Sequence, residues 1–201
     1  YKLRFPITGG RSSADGPTSR KSLSIRAARN GLHIMPTAEQ IQERTDLIMG
    51  KMPTLFVGHG SPMNAIEDNN DTSKWKEIGA AIPRPEAILV ISAHWTTEGT
   101  RVMDSLHPRT VYDMYGFPKA LYEVVYQPPG SPEHAHLAGS LLLNAVIDNS
   151  WGIDHGSWSV LKWMFPDADV PVFQVSLDEN ASRQSHFERG QRLKPLREKN
   201  V

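Results

Sequence analysis

The sequence predicts an α/β protein with a mostly parallel central sheet and flanking helices. Two observations carry this prediction. Strand-like and helix-like patterns alternate after residue 52, and residues 87–92 form a continuous apolar run. Such a run is typical of a strand covered on both faces, as in a parallel sheet. Strands that alternate with helices indicate βαβ units, which build such sheets.

Each element follows from a local pattern. Four segments are predicted as strands: residues 54–57, 87–92, 101–103 and 170–177. After residue 52, four segments are predicted as helices: one within residues 72–82, one from Ser131 with Val146 among its apolar positions, one over residues 157–165, and one from Ser182 to about Glu198. Pro195 should kink or end the last helix. The chain stops where the rhythm predicts another strand, so we expect the fold to lack its C-terminal part.

Charge divides the chain. It has 22 Lys and Arg and 22 Asp and Glu among 201 residues, but residues 1–51 hold nine of the basic and four of the acidic side chains. We therefore interpret residues 1–51 as a basic leader, poorly ordered with a short helix. A targeting peptide, a disordered leader or a translated upstream stretch would each have this balance. The remainder is mildly acidic, which disfavours a nucleic-acid surface and favours a small-molecule enzyme.

The absence of cysteine and of long apolar runs excludes further classes of protein. The chain contains no cysteine, which excludes disulfides, thiolate metal ligands and cysteine nucleophiles. This fits a reducing compartment, and we expect a cytoplasmic location. No apolar run approaches the roughly 20 residues that span a bilayer, so we expect no membrane partner.

Two histidines stand at the carboxyl ends of predicted strands. His59 follows residues 54–57, and His94 follows residues 87–92, each beside small residues. In open α/β sheets, ligands bind in the crevice outside these ends. Imidazole suits Zn, Fe, Cu and Ni, so we predict His59 and His94 as metal ligands. A structural hydrogen-bonding role is the alternative for each.

His155 lies in a turn between Trp151 and Trp158. The indoles would form a pocket wall, with His155 donating or relaying a proton at neutral pH. The alternative is a core turn in which Asp154 or Ser157 caps the next helix, or in which Asp154 orients an imidazole. The remaining histidines are assigned no ligand role.

The turn Gly58-His59-Gly60-Ser61-Pro62 superficially resembles a nucleophile elbow, with Ser61 as the nucleophile. We rank this below metal binding. Pro62 lacks the backbone N–H that usually helps to build an oxyanion hole. Among the aromatic residues, Tyr112 and Tyr115 lie in a glycine-containing loop and are the best candidates to line a pocket.

Several ordered motifs together resemble one family. They are Gly58-His59-Gly60-Ser61-Pro62-Met63, Ser92-Ala93-His94-Trp95, Tyr115-Gly116-Phe117-Pro118, Pro129-Gly130-Ser131-Pro132 and Asp154-His155-Gly156-Ser157-Trp158. This set resembles the class III extradiol ring-cleavage dioxygenases, and within them the 4,5-DOPA extradiol dioxygenase branch. The resemblance covers residues 52–201, which we interpret as an incomplete extradiol dioxygenase-like catalytic domain.

The resemblance implies a mononuclear Fe(II) or Zn(II) site with His59 and His94 as its first two ligands. His155 matches a catalytic histidine beside the substrate, and the substrate-binding residues are expected to be Ser61, Asn64, Tyr115 and Trp158. The branch's later metal-site histidines, one in a Gly-Asn-x-x-His-Asn turn and one near the carboxyl end, have no match here. We therefore expect a weak two-histidine site, completed by water or Asp154.

The implied activity is the cleavage of a catecholic, DOPA-like ring beside its diol, with both atoms of dioxygen incorporated. The substrate and dioxygen are then the expected partners. Two alternatives remain open: a non-catalytic binding module of the same fold, and a zinc-dependent hydrolase in which a bound water attacks esters or amides.

Overall fold

The strands of this protein pair in parallel. The structure is a computed structural model that describes residues 50–201. Its strands are β1 (Ile88–Val90), β2 (Thr96–Thr97), β3 (Arg101–Val102), β4 (Val146–Ile147), β5 (Val172–Gln174) and β6 (Leu177–Asp178). The pairs are β1 with β5, β2 with β6 and β3 with β4, and all three are parallel. The α/β class and the parallel pairing are thus confirmed.

Hydrogen bonds join these short pairs. Val175 N–H, between β5 and β6, donates to the carbonyl of Val90 at 3.0 Å. Val175 also forms an antiparallel bridge with Val102 of β3. In register, Leu89 lies opposite Phe173. The pairs are therefore linked through the β5–β6 segment, with one antiparallel junction.

Five α-helices lie within the described residues: α1 (Asn70–Ala81), α2 (Lys119–Tyr122), α3 (Pro132–Leu141), α4 (His155–Met164) and α5 (Arg183–Leu193). Two 3₁₀ helices span Pro62–Ala65 and Lys194–Lys199. The last α-helix ends at Leu193 and the chain continues as a 3₁₀ helix from Lys194, so the predicted helix ends just before Pro195. No helix in this part of the chain is both long enough and apolar enough to cross a membrane.

Side-chain caps determine where the main helices begin. Asn69 caps α1 by accepting from the N–H groups of Asp71 and Thr72, and the Thr72 hydroxyl accepts from the Asn69 N–H in return. Asp154 accepts from Ser157 N–H at the start of α4. These bonds satisfy donors that have no partner within the helix. Capping by Asp154, one of the alternatives that the sequence left open for this turn, is thus observed.

Two hydrophobic clusters form on opposite sides of β5. Val172 packs in a cluster with Trp158 of α4 and Trp75 of α1. Its neighbour Phe173 packs in a second cluster with residues of α3 and α5, including Leu193. Adjacent residues of a strand point to opposite faces, so β5 is covered on both. This explains why the adjacent residues Val172 and Phe173 are both apolar.

The predicted strand at residues 54–57 is wrong. The structure gives this segment no strand, and no described residue forms a ladder with it. Phe56 is 102 % exposed and Leu55 is 43 % exposed. A strand needs a hydrogen-bonding partner as well as an apolar pattern, and β1 pairs with β5 instead.

The helix that begins after Ser131 is shorter than its apolar pattern indicated. It is capped at Leu142, and Asn144 takes a left-handed conformation with φ 63°. Asparagine tolerates this conformation, which cannot continue a right-handed helix. Val146 therefore lies in β4 rather than in α3. The leader prediction concerns residues 1–51, of which residues 1–49 lie outside the described residues.

Candidate metal centre

The turn that carries His59 is held by a side-chain amide. The Nδ2 group of Asn64 donates to the carbonyl of His59 at 3.0 Å. Gly60 has φ 63°, and a Cβ at this position would lie 2.9 Å from Asn64 Nδ2. Only glycine adopts this close, left-handed backbone without strain. The Ser61 hydroxyl then caps Pro62–Ala65 by accepting from Met63 N–H.

Helix α4 supports the same turn from its C-terminal half. The indole N–H of Trp163 donates to the carbonyl of Asn64 at 2.8 Å. The ammonium of Lys162 donates to the carbonyl of Ala65 at 2.5 Å, and burial lowers the pKa of this lysine. Since α4 begins with His155, one rigid element positions this histidine and supports the turn of His59.

His94 lies in the loop between β1 and β2, above a buried polar network. The hydroxyl of Ser92 accepts from His94 N–H at 3.2 Å and donates to Asp154 Oδ1 at 2.8 Å. Asp154 is fully buried, and it also accepts from Trp151 Nε1 and from Ser157. Its oxygens are thus engaged inside the protein. The expectation that Asp154 completes a metal site is not supported by this arrangement.

His155 is buried, and Asp113 holds its ring. Its Nδ1 lies 2.9 Å from Asp113 Oδ1, and its backbone N–H donates to the same oxygen at 2.9 Å. Burial opposes ionisation of this carboxyl group, but the hydrogen bonds from His155 outweigh it, so the pKa of Asp113 lies below its ordinary value. The carboxylate also lies 3.4 Å from Nδ1 of His94.

The three imidazoles form one cluster. One ring nitrogen from each of His59, His94 and His155 lies within 4.8 Å of the other two. The Nε2 atoms of His59 and His94 are 3.0 Å apart. Two nitrogens bound to one tetrahedral zinc, at about 2.0–2.1 Å each, would be roughly 3.3 Å apart. The structure therefore brings together a three-nitrogen donor set where the sequence predicted two ligands.

The chemical state of His59 suits a metal ligand. Burial, then the neighbouring His155 and His94, lowers its pKa, against opposing effects of Asp154 and Asp113. Neutral imidazole is the form that binds metals. The Nδ1 atom of His59 is also buried without a hydrogen-bond partner in the described part of the chain. The nitrogen of His59 that faces His94 is Nε2, so Nε2 is the atom that this ring offers to a shared ion.

The four predicted substrate-binding residues lie in different environments: two are exposed and two are buried. Ser61 and Tyr115 are exposed, Tyr115 by 92 %. Asn64 is buried, and its amide is engaged with His59 and with Asn69. Trp158 is 0 % exposed. Its indole donates to Val111 at 2.9 Å, so it packs in the core and has no surface for a direct substrate contact.

The sequence did not single out Asp113, which contacts two members of the cluster. It lies between Tyr112 and Met114, in the loop where the flanking tyrosines drew attention. A lone aspartate in a loop has no distinctive pattern. Its role becomes visible only when the loop is placed beside His155, 42 positions along the chain.

Comparison with known proteins identifies the family. Residues 52–201 match the family model described as the catalytic LigB subunit of aromatic ring-opening dioxygenase. The chain belongs to this family. The match contains all three histidines of the cluster.

Several relatives of this dioxygenase family member carry the name 4,5-DOPA dioxygenase extradiol. The Escherichia coli K12 protein is 48 % identical over 161 residues, which cover 78 % of this chain and 59 % of the relative. The Beta vulgaris protein is 41 % identical over 74 % of this chain and 58 % of its own. A crystal structure of an uncharacterised Escherichia coli K12 protein matches with a TM-score of 0.63 and 44 % identity, covering 75 % of this chain and 57 % of that one. The chain thus spans somewhat over half the length of these relatives.

Proposed function

We propose that this protein is a metal-dependent extradiol dioxygenase that opens the ring of a catecholic, DOPA-like substrate with dioxygen. The observation that carries the proposal is the cluster of His59, His94 and His155 in a member of this family. The names of the relatives support the substrate class. A cytoplasmic location is part of the same proposal, supported by the absence of cysteine.

His59 and His94 are the proposed ligands of Fe(II) or Zn(II), and the nitrogen of His155 lies close enough to join them or to face the substrate. When bound, Fe(II) would supply an open coordination face and a path for electrons between the catechol and dioxygen. The chain's own groups do the rest. The Nδ1 of His155 faces Asp113, which leaves its Nε2 available to take and return a proton.

The substrate contacts divide into direct and supporting roles. We propose that Ser61, two residues beyond His59, and Tyr115, two beyond Asp113, contact the catechol through their exposed hydroxyl groups. Asn64 supports the turn of His59 from within. Trp158 supports the loop of Asp113 through its bond to Val111, instead of making the direct contact that the sequence favoured.

Oxygen uptake tests the proposal. The chain is loaded anaerobically with Fe(II), mixed with L-DOPA in air-saturated buffer, and monitored with an oxygen electrode and for the yellow ring-opened product. We expect uptake with colour in the wild type and its loss in His94→Gln. His107→Gln is the matched control, because His107 is exposed and outside the cluster, and it should behave as the wild type.

Each of the remaining outcomes of this experiment would contradict one part of the proposal. A wild-type chain that binds Fe(II) without oxygen uptake would overturn the proposal that these 201 residues suffice for the reaction, and ester hydrolysis by the zinc form would point to the hydrolase. Equal uptake in His94→Gln and wild type would overturn the assignment of the metal site to this cluster.

A further inference from the structure

The carboxylate of Asp113 lies between two members of the histidine cluster. Its Oδ1 is 2.9 Å from Nδ1 of His155, and its Oδ2 is 3.4 Å from Nδ1 of His94. Each oxygen therefore faces a different ring. The Asp113 side chain is only 13 % exposed, so water competes little for these contacts.

We propose that Asp113 is a positioning residue that sets the tautomer and orientation of both rings. An ionised carboxylate can only accept hydrogen bonds, so the hydrogen in the 2.9 Å contact must lie on Nδ1 of His155. At 3.4 Å the contact with His94 is electrostatic, and the negative charge of Oδ2 favours the Nδ1–H form of that ring. The Nε2 atoms of His94 and His155 then carry lone pairs. For His94 this lone pair is on the atom that lies 3.0 Å from Nε2 of His59. Asp113 thus directs the donor atoms toward the centre of the cluster.

The surrounding contacts fix the position of this carboxylate. The N–H of Val111 donates to the carbonyl of Ile153 at 2.8 Å, and Trp158 Nε1 donates to the carbonyl of Val111 at 2.9 Å. The hydroxyl of Tyr112 donates to the carbonyl of Val124 at 2.6 Å. The loop is therefore tied to the turn before α4 and to the residues after α2 (Lys119–Tyr122). Asp113 is held at the cluster by its backbone, independently of the imidazoles.

The contacts of Asp113 should affect how tightly the three histidines bind a metal ion. Carboxylates that bind the second nitrogen of a ligating histidine fix its orientation and raise its basicity, and their loss typically costs about 10–100-fold in metal affinity. Here one carboxylate serves two rings, so its loss releases both. The effect on affinity rests on the proposed metal site, whereas the tautomers are a property of the metal-free protein and are measured without it.

The first test uses the wild-type chain, labelled with ¹⁵N-histidine and free of metal. Long-range ¹H–¹⁵N spectra distinguish the two tautomers of each ring. We expect the Nδ1–H form at His94 and His155. The Nε2–H form at both rings would overturn the proposal, whether or not the protein proves to be a dioxygenase.

The second test compares variants by cobalt titration, with circular dichroism to verify folding. Asp113→Asn should lower Co(II) affinity by about 10–100-fold and shift both tautomer populations, and Asp113→Glu, which keeps the acceptor, should recover part of both. Asp104→Asn is the matched control, because Asp104 also pairs with a histidine, His136, outside the cluster. The proposal would be overturned if a folded Asp113→Asn protein kept the wild-type tautomers and Co(II) affinity. It would also be overturned if Asp113→Glu lost as much as a folded Asp113→Asn protein. If Asp113→Asn does not fold, the proposal is tested by the tautomers of the wild type and by the Co(II) affinity of Asp113→Glu. Nδ1–H tautomers in the wild type and partly retained affinity in Asp113→Glu would then support it, and Nε2–H tautomers would overturn it.

Discussion

Replacing Gly156 with alanine would place a methyl group against the ring of His94. Gly156 is the second residue of α4, and a Cβ there would lie 2.6 Å from Cδ2 and 3.1 Å from Nε2 of His94. The same carbon would lie 3.2 Å from Oδ1 of Asp154. Carbon atoms in contact are normally about 3.5–4.0 Å apart, so the imidazole must move by roughly 1 Å.

Two opposing effects set the size of the stability change. Crowding of a packed site typically costs about 1–3 kcal/mol. Alanine is favoured over glycine in a helix by roughly 0.5–1 kcal/mol, which offsets part of this cost. We expect a net loss of about 1 kcal/mol in the free energy of unfolding. The displaced Nε2 should also lower Co(II) affinity by about tenfold or more, since metal–nitrogen bonds tolerate little error in length.

Gly190 offers a matched control on another helix. It lies within α5 (Arg183–Leu193), and a Cβ there meets no atom within 4 Å. Gly190→Ala should therefore raise stability by roughly 0.5–1 kcal/mol and leave Co(II) binding unchanged. Both variants are measured by urea unfolding and cobalt titration. A Gly156→Ala protein that is stabilised like Gly190→Ala and binds Co(II) normally would refute the reasoning.

Three further predictions concern stability, measured by urea unfolding. Trp158→Ala removes a fully buried indole and should cost about 3–5 kcal/mol, so a loss below about 1 kcal/mol would contradict its core role. Asn69→Ala removes the cap of α1 and should cost about 1 kcal/mol; Gly at this position should cost less. The hydrogen bond from His136 lowers the pKa of Asp104 below its ordinary 3.8. Asp104 therefore stabilises the fold above that pH, and the loss in Asp104→Asn, below about 1 kcal/mol for this exposed pair, should vanish as the solution is acidified through the lowered pKa.

Local patterns predicted most elements because each is encoded within a few adjacent residues. The strand β1 (Ile88–Val90) lies within the run at residues 87–92, and Asp154 caps α4, which was one of the roles left open for it. Predictions failed where the structure of a segment depends on a hydrogen-bonding partner elsewhere in the chain. Residues 54–57 have the composition of a strand, but no described segment pairs with them, so the backbone stays outside the sheet.

The candidate site divides in the same way. His59 and His94 could be identified from their turns, because glycine and other small residues beside a histidine form a local signal, even though no strand precedes His59 in the described part of the chain. The roles of Asn64 and Trp158 could not, since buried polar atoms find their partners only after packing. Their side chains are engaged within the protein rather than open to a ligand.

By itself, the sequence determined the α/β class, the two histidines at the turns, and the motifs that identify the family. Only the tertiary structure decided that His155 joins His59 and His94, and that Asp113 lies against two of the rings. The physical reason is the separation in sequence between the residues that make contact. A turn or a cap is decided by neighbours in sequence, whereas contacts across 42 positions depend on how α4 and the loop of Asp113 pack together.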